Sequence, residues 1–171
     1  MNALLAKYLP PKRLPTVIAG ASAAMLAAAN TFEHVFGYVP CQLCLYQRLP
    51  WWVALGLGCL AALVIKTRPT LALLISITAL IAIAVGAGIA GYHAGVEYQF
   101  WAGPSGCSGT ASLSGDLSAA LSNVSDGPTG PSCDEAPWTL FGISMAGYNF
   151  LISLGLAALG ALAIRAAMRK A

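Results

Sequence analysis

Four long apolar runs, parted by short polar breaks, organise this chain; they cover about residues 14–32, 49–65, 70–90 and 141–164. Each is close to the ~20 residues that a helix needs to cross a hydrocarbon core. They are rich in Ala, Leu, Ile and Gly and show no alternation of period two. A helix satisfies its own backbone groups in lipid, whereas four isolated strands could not. The pattern predicts an all-α membrane protein, a four-transmembrane-helix bundle forming a single domain over residues 1–171. Between the runs it leaves one short loop over about 33–48, a tight turn at 66–69 and one long loop over about 91–140.

Small residues recur at four-residue spacing, Gly86 with Ala90, Ala87 with Gly91 and Gly142 with Ala146. Such pairs let helix backbones approach closely, although Ala and Gly abundance alone also produces them. In the long loop Leu113, Leu117, Leu121 and Val124 recur at helical spacing. That fits a helix over 111–124 lying on the membrane surface, and equally a loop helix covering other loop residues. The first run follows Lys7, Lys12 and Arg13 and contains Ala27-Ala28-Ala29, as a cleaved signal peptide would. Its apolar stretch exceeds the usual 7–15 residues of such a signal, so a retained span is expected.

Composition sharpens this picture. The chain is 58% hydrophobic and 9% charged, against about 25% charged residues in a soluble domain. Charge also sets an orientation, because cytoplasmic flanks of membrane spans collect Lys and Arg. Lys7, Lys12, Arg13, Lys66, Arg68, Arg165, Arg169 and Lys170 fall in the two tails and the middle turn, on one side of a four-span protein. Only Arg48 falls on the other side, with all six acids, Glu33, Glu97, Asp116, Asp126, Asp134 and Glu135. Both termini are expected to be cytoplasmic and both acidic loops external. The net charge of +3 is spread over membrane flanks and makes no nucleic-acid patch. The spans hold almost no ionisable residues to mark a transport path.

Cysteine placement adds chemistry. Cys41 and Cys44 stand in the first external loop, Cys107 and Cys133 in the third, and Cys59 inside a span, where it behaves as a small hydrophobe. Two pairs on the oxidising side suggest redox exchange. Two inert bracing disulfides or a zinc site would use the same residues, but the wide separation of Cys107 from Cys133 suits zinc poorly. A two-residue gap, as in Cys41-Gln42-Leu43-Cys44, permits a readily exchanged disulfide. A helix beginning near Cys44 would put Arg48 on the same face, able to stabilise a Cys44 thiolate. Pro50 complicates this by suiting a first helical turn, which would move the helix start later. His93 lies just past the third run, and Tyr38, Tyr46, Trp51, Trp52, Tyr92, Trp101 and Trp138 gather near the outer ends of the spans. That is an aromatic belt first, and it could also cradle a flat lipid-soluble ring.

These residues resemble the bacterial disulfide bond formation protein B family (DsbB) across nearly the whole chain. The resemblance rests on Cys41-Gln42-Leu43-Cys44-Leu45-Tyr46-Gln47-Arg48, on Gly91-Tyr92-His93, on Cys107 and Cys133, and on the run Leu140-Phe141-Gly142-Ile143-Ser144-Met145-Ala146-Gly147. It implies a multi-pass oxidoreductase of the bacterial inner membrane that reoxidises a separate periplasmic, DsbA-like thioredoxin-fold dithiol oxidase. The electrons would pass to a membrane quinone, ubiquinone or menaquinone. By the same resemblance Cys107–Cys133 exchanges with the partner, Cys107 being attacked. Cys41–Cys44 then reoxidises that pair, with Cys44 as the thiolate facing the quinone, Arg48 stabilising the complex and His93 near the ring.

Overall fold

The computed structural model describes residues 10–104 and 132–168. Four helices dominate it: α1 (Leu14–His34), α2 (Gln42–Val64), α3 (Pro69–Glu97) and α4 (Met145–Met168). All four are long and apolar enough to cross a membrane. A short hairpin, β1 (Thr139–Leu140) paired antiparallel with β2 (Ile143–Ser144), precedes α4. Successive helices pack side by side, α1 on α2, α2 on α3 and α3 on α4, while α1 and α4 touch only slightly. Ile18, Trp51, Ala54, Ala79, Ile83 and Ile164 belong to the buried core between them.

The helices outrun the apolar stretches that announce them. The second begins at Gln42 instead of 49, and the third ends at Glu97 instead of 90. At ~1.5 Å per residue, the 29 residues of α3 span about 43 Å, well beyond a hydrocarbon core of ~30 Å. Its last turns therefore carry polar residues beyond the apolar stretch. The stop is a Schellman motif: Phe100 N–H donates to Gly95 O at 2.8 Å and Gln99 N–H to Val96 O at 3.0 Å. Gln99 takes the left-handed position (φ 60°) that glycine more often fills, so no glycine marks this end.

Pro50 lies inside α2 and does not delay its start. It removes one backbone donor, and its ring fills the space beside Gly86 on α3, where an added Cβ would come within 3.0 Å of it. Gly86, Ala87 and Ala90 are indeed buried on one face of α3. Gly142 is not part of a helix face. With Phe141 (φ 51°) and Gly142 (φ 77°) it makes the two-residue turn of the hairpin, which needs positive φ at both positions. This turn moves the start of the fourth helix from the expected 141 to Met145. The segment 111–124 lies outside the described residues.

Backbone meets backbone closely between α1 and α2, where a Cβ on Gly58 would lie 2.9 Å from the backbone nitrogen of Ala19. Gly58→Ala should therefore destabilise the bundle by about 1–3 kcal/mol, the usual range for overpacking. Denaturation in detergent micelles measures this, with Gly56→Ala as the control because a Cβ there meets nothing within 4 Å.

Candidate functional site

The site forms where the N-terminal end of α2 meets the C-terminal end of α3. Cys41 is the N-cap of α2, in extended conformation, and its sulfur accepts the backbone N–H of Cys44 at 3.3 Å. The residue thus does what Ser or Asp does at this position, and the positive end of the helix dipole favours a negative sulfur. The two sulfurs of the pair are 2.8 Å apart, hydrogen-bonded and not covalently joined. His93 Nε2 lies 3.6 Å from the Cys41 sulfur. Together the Cys44 thiol, the His93 ring and the Cys44 N–H outweigh burial and hold the Cys41 thiol down to about 4.

His93 is no loop-edge residue. It sits on α3, one turn before its end, with its side chain and that of Glu97 each 2% exposed. Glu97 Oε1 is 3.8 Å from His93 Nε2, and Glu97 Oε2 is buried with no hydrogen-bond partner among the described residues. Sequence reasoning placed Glu97 among external loop acids and missed its burial, because falling hydropathy hides helical turns that packing sustains. Gln47 and Trp51 stood only in the motif and the aromatic belt, and Asn149 escaped notice: Gln47 Nε2 contacts His93 Nδ1 at 2.5 Å, Asn149 Nδ2 contacts Gln47 Oε1 at 2.5 Å, and Trp51 Nε1 donates to Asn149 Oδ1 at 2.9 Å.

Arg48 departs from its expected role. Although α2 begins early enough to set it one turn beyond Cys44, its guanidinium donates to Glu33 Oε2 at 2.5 Å and to Ala29 O at 3.5 Å, both on α1. The opposite charge on α1 draws it there, and helix end, thiol and imidazole stabilise the sulfur of Cys41 instead. Arg48 and Cys44 still line one space, a cavity of about 370 Å³. It lies at the same end of the bundle as the cysteine pair, against both α1 and α4, the pair that touch only slightly. Phe32, Tyr38, Trp138 and Tyr148 wall it, with ring centroids 5.2 Å apart for Phe32 and Trp138 and 6.0 Å for Trp138 and Tyr148.

Cys133 is buried and disulfide-bonded, and it shares a cluster with Cys41, Leu43 and Val96, against which Cys44 packs. Its expected partner, Cys107, lies outside the described residues. A disulfide at Cys133 is incompatible with the four-cysteine zinc site. Cys41, Cys44 and His93 offer three ligand atoms within 4.8 Å of one another, one short of a closed tetrahedral set. Cys59 is free and exposed on α2, away from this cluster. Alkylation of Cys41 in the reduced protein, followed by mass spectrometry from pH 9 to 3, should stay near its plateau down to about pH 5 and halve near 4. The thiolate reacts and the thiol does not, so a fall beginning near pH 9 would contradict this geometry.

The family model "Disulfide bond formation protein DsbB" matches residues 11–163. A disulfide bond formation protein B of Verminephrobacter eiseniae is 31% identical over 170 residues, covering 94% of this chain and 92% of the relative. One from Xylella fastidiosa is 32% identical over 143 residues, covering 81% and 80%. Another from a Polaromonas species is 28% identical over 155 residues, covering 88% of each. No solved structure matches at a comparable level. With four helices able to span a membrane and a Cys41–Cys44 pair at the head of the second, the chain belongs to the disulfide bond formation protein B family of membrane oxidoreductases.

Proposed function

We propose that the protein reoxidises a periplasmic thioredoxin-fold dithiol oxidase, resembling DsbA, and passes the electrons to a membrane quinone. The observation that carries this reading is the position of the Cys41–Cys44 pair between two features. Cys41 packs with disulfide-bonded Cys133, while Cys44 lines the cavity. Exchange needs sulfurs within reach of one another, and this packing supplies a relay from the loop pair to Cys41 and on to Cys44. The skew of basic residues supports a topology with both termini in the cytoplasm and this end of the bundle at the periplasmic face of an inner membrane.

The cavity's chemistry fits a quinone. A bound quinone supplies an acceptor for two electrons and two protons. Phe32, Tyr38, Trp138 and Tyr148 offer ring faces to a flat ring, and Arg48 offers a cationic donor to an oxygen. Glu33 holds the guanidinium at the cavity edge. Slight contact between α1 and α4 gives a lipid-soluble molecule a route in from the membrane. Cys44, facing this space, is the sulfur from which electrons leave.

The second reading is a membrane scaffold whose disulfides only brace its loops; the position of Cys44 on the cavity wall favours turnover over bracing. Cys44→Ala should abolish quinone-coupled oxidation of a reduced periplasmic dithiol oxidase by the purified protein, and Cys107→Ala should block turnover of that partner. Normal activity in either variant would sink the assignment. Arg48→Leu should raise the apparent KM for quinone about tenfold or more, the effect of losing a charge-assisted hydrogen bond worth ~1.5–3 kcal/mol. A scaffold would show neither rapid reduction by the dithiol protein nor reoxidation on adding quinone.

A further inference from the structure

A row of polar side chains crosses the buried interior from α4 to α3 by way of α2, and its direction follows from donor chemistry. The indole N–H of Trp51 can only donate. It meets Asn149 Oδ1 at 2.9 Å, which fixes that atom as the acceptor and turns Asn149 Nδ2 toward Gln47 Oε1 at 2.5 Å. Gln47 then directs its NH2 at His93 Nδ1, also at 2.5 Å. An Nδ1 that accepts this bond carries no proton, so the neutral ring bears its proton on Nε2. That nitrogen faces the Cys41 sulfur at 3.6 Å and Glu97 Oε1 at 3.8 Å.

We infer that Trp51, Asn149 and Gln47 are positioning residues which lock His93 in the Nε2–H tautomer, so that it donates toward the Cys41 sulfur. The reversed tautomer would aim a lone pair at a negative sulfur and leave the chain mismatched at the indole. Burial makes the arrangement decisive, since Trp51 is 3% exposed, Gln47 6% and His93 2%. Asn149 is partly exposed where all four residues line the cavity, whose walls are mostly apolar, so a donor left unmatched among them lacks a protein partner and is costly. Ser153 Oγ also reaches Asn149 Oδ1, at 3.2 Å, but a hydroxyl donates or accepts and cannot set the direction. Trp51 can. Among the described residues, the remaining titratable groups around Cys41 are Cys44 on α2 and Glu97 on α3, while Arg48 and Glu33 hold each other at the cavity edge. The same tautomer disfavours a metal at Cys41, Cys44 and His93, which would need a lone pair on Nε2.

This deepens the reading of Cys41–Cys44 as the reactive pair and rests on it, yet its readouts involve neither quinone nor partner protein. Nitrogen-15 NMR of the reduced full-length protein, labelled at its two histidines and assigned with His34→Gln, reports the tautomer directly. His93 should show a protonated Nε2 and a bare Nδ1. Trp51→Phe keeps the ring and removes the N–H, and Gln47→Met keeps the volume and removes the donor. Both should give mixed tautomers and raise the midpoint of Cys41 alkylation by about one pH unit, the tenfold change expected for one buried hydrogen bond. A protonated Nδ1 in the unsubstituted protein overturns the proposal. So does an unchanged tautomer or an unchanged alkylation midpoint in both variants. Failure here with intact quinone-coupled turnover leaves the proposed function standing, whereas loss of turnover with these signatures intact speaks against that function alone.

Discussion

The acceptance of the Cys44 N–H by the Cys41 sulfur is the contact on which the rest of the site depends. It ends the first outer loop by starting α2 at Gln42, and so lifts two extra turns of that helix above its apolar stretch. Those turns carry Cys44, Gln47 and Arg48 to the level of His93 and Glu97 on α3. A later start at Pro50 would have left these residues in a loop, without a common frame. The same contact points a helix dipole at the sulfur, so one local event both builds the scaffold and favours a thiolate.

Membrane packing explains why the frame stays rigid. Lipid gives helices little hydrophobic reason to associate, so close fit and interhelical polar bonds must hold them. Gly58 admits the backbone of Ala19, and Gly86 admits the ring of Pro50. Above these apolar contacts, Trp51, Asn149, Gln47 and His93 link α2, α4 and α3 by hydrogen bonds that are buried or half-buried. The apolar contacts hold α1 and α3 against α2, and the polar chain ties α4 to α2 and α2 to α3. The seam between α1 and α4 has neither, and that is where the aromatic cavity lies.

Charge is kept apart within this small volume. Arg48 and Glu33 neutralise one another at the cavity edge, which keeps the cation from the sulfur pair. Cys41 is served instead by a helix terminus, a thiol and an imidazole N–H. One sulfur packs with the buried Cys133 and the other faces the cavity, so the pair has two distinct sides although its residues are three positions apart.

The sequence by itself determined the four spans and the membrane class, because twenty apolar residues in a row leave few other solvents. It also determined that the Cys41–Cys44 motif lies at the head of the second span, and the family. Helix ends were less legible: hydropathy falls before α3 ends, Gln99 stands where glycine would signal the stop, and a hairpin replaces the first expected turn of α4. Only the tertiary structure decided that Arg48 turns to Glu33 and that His93 is buried beside Cys41. Gln47 and Asn149 are 102 positions apart, and His93 stands 46 positions from Gln47. No local period couples such residues; they meet because three helices pack, and burial then leaves each donor a single acceptor.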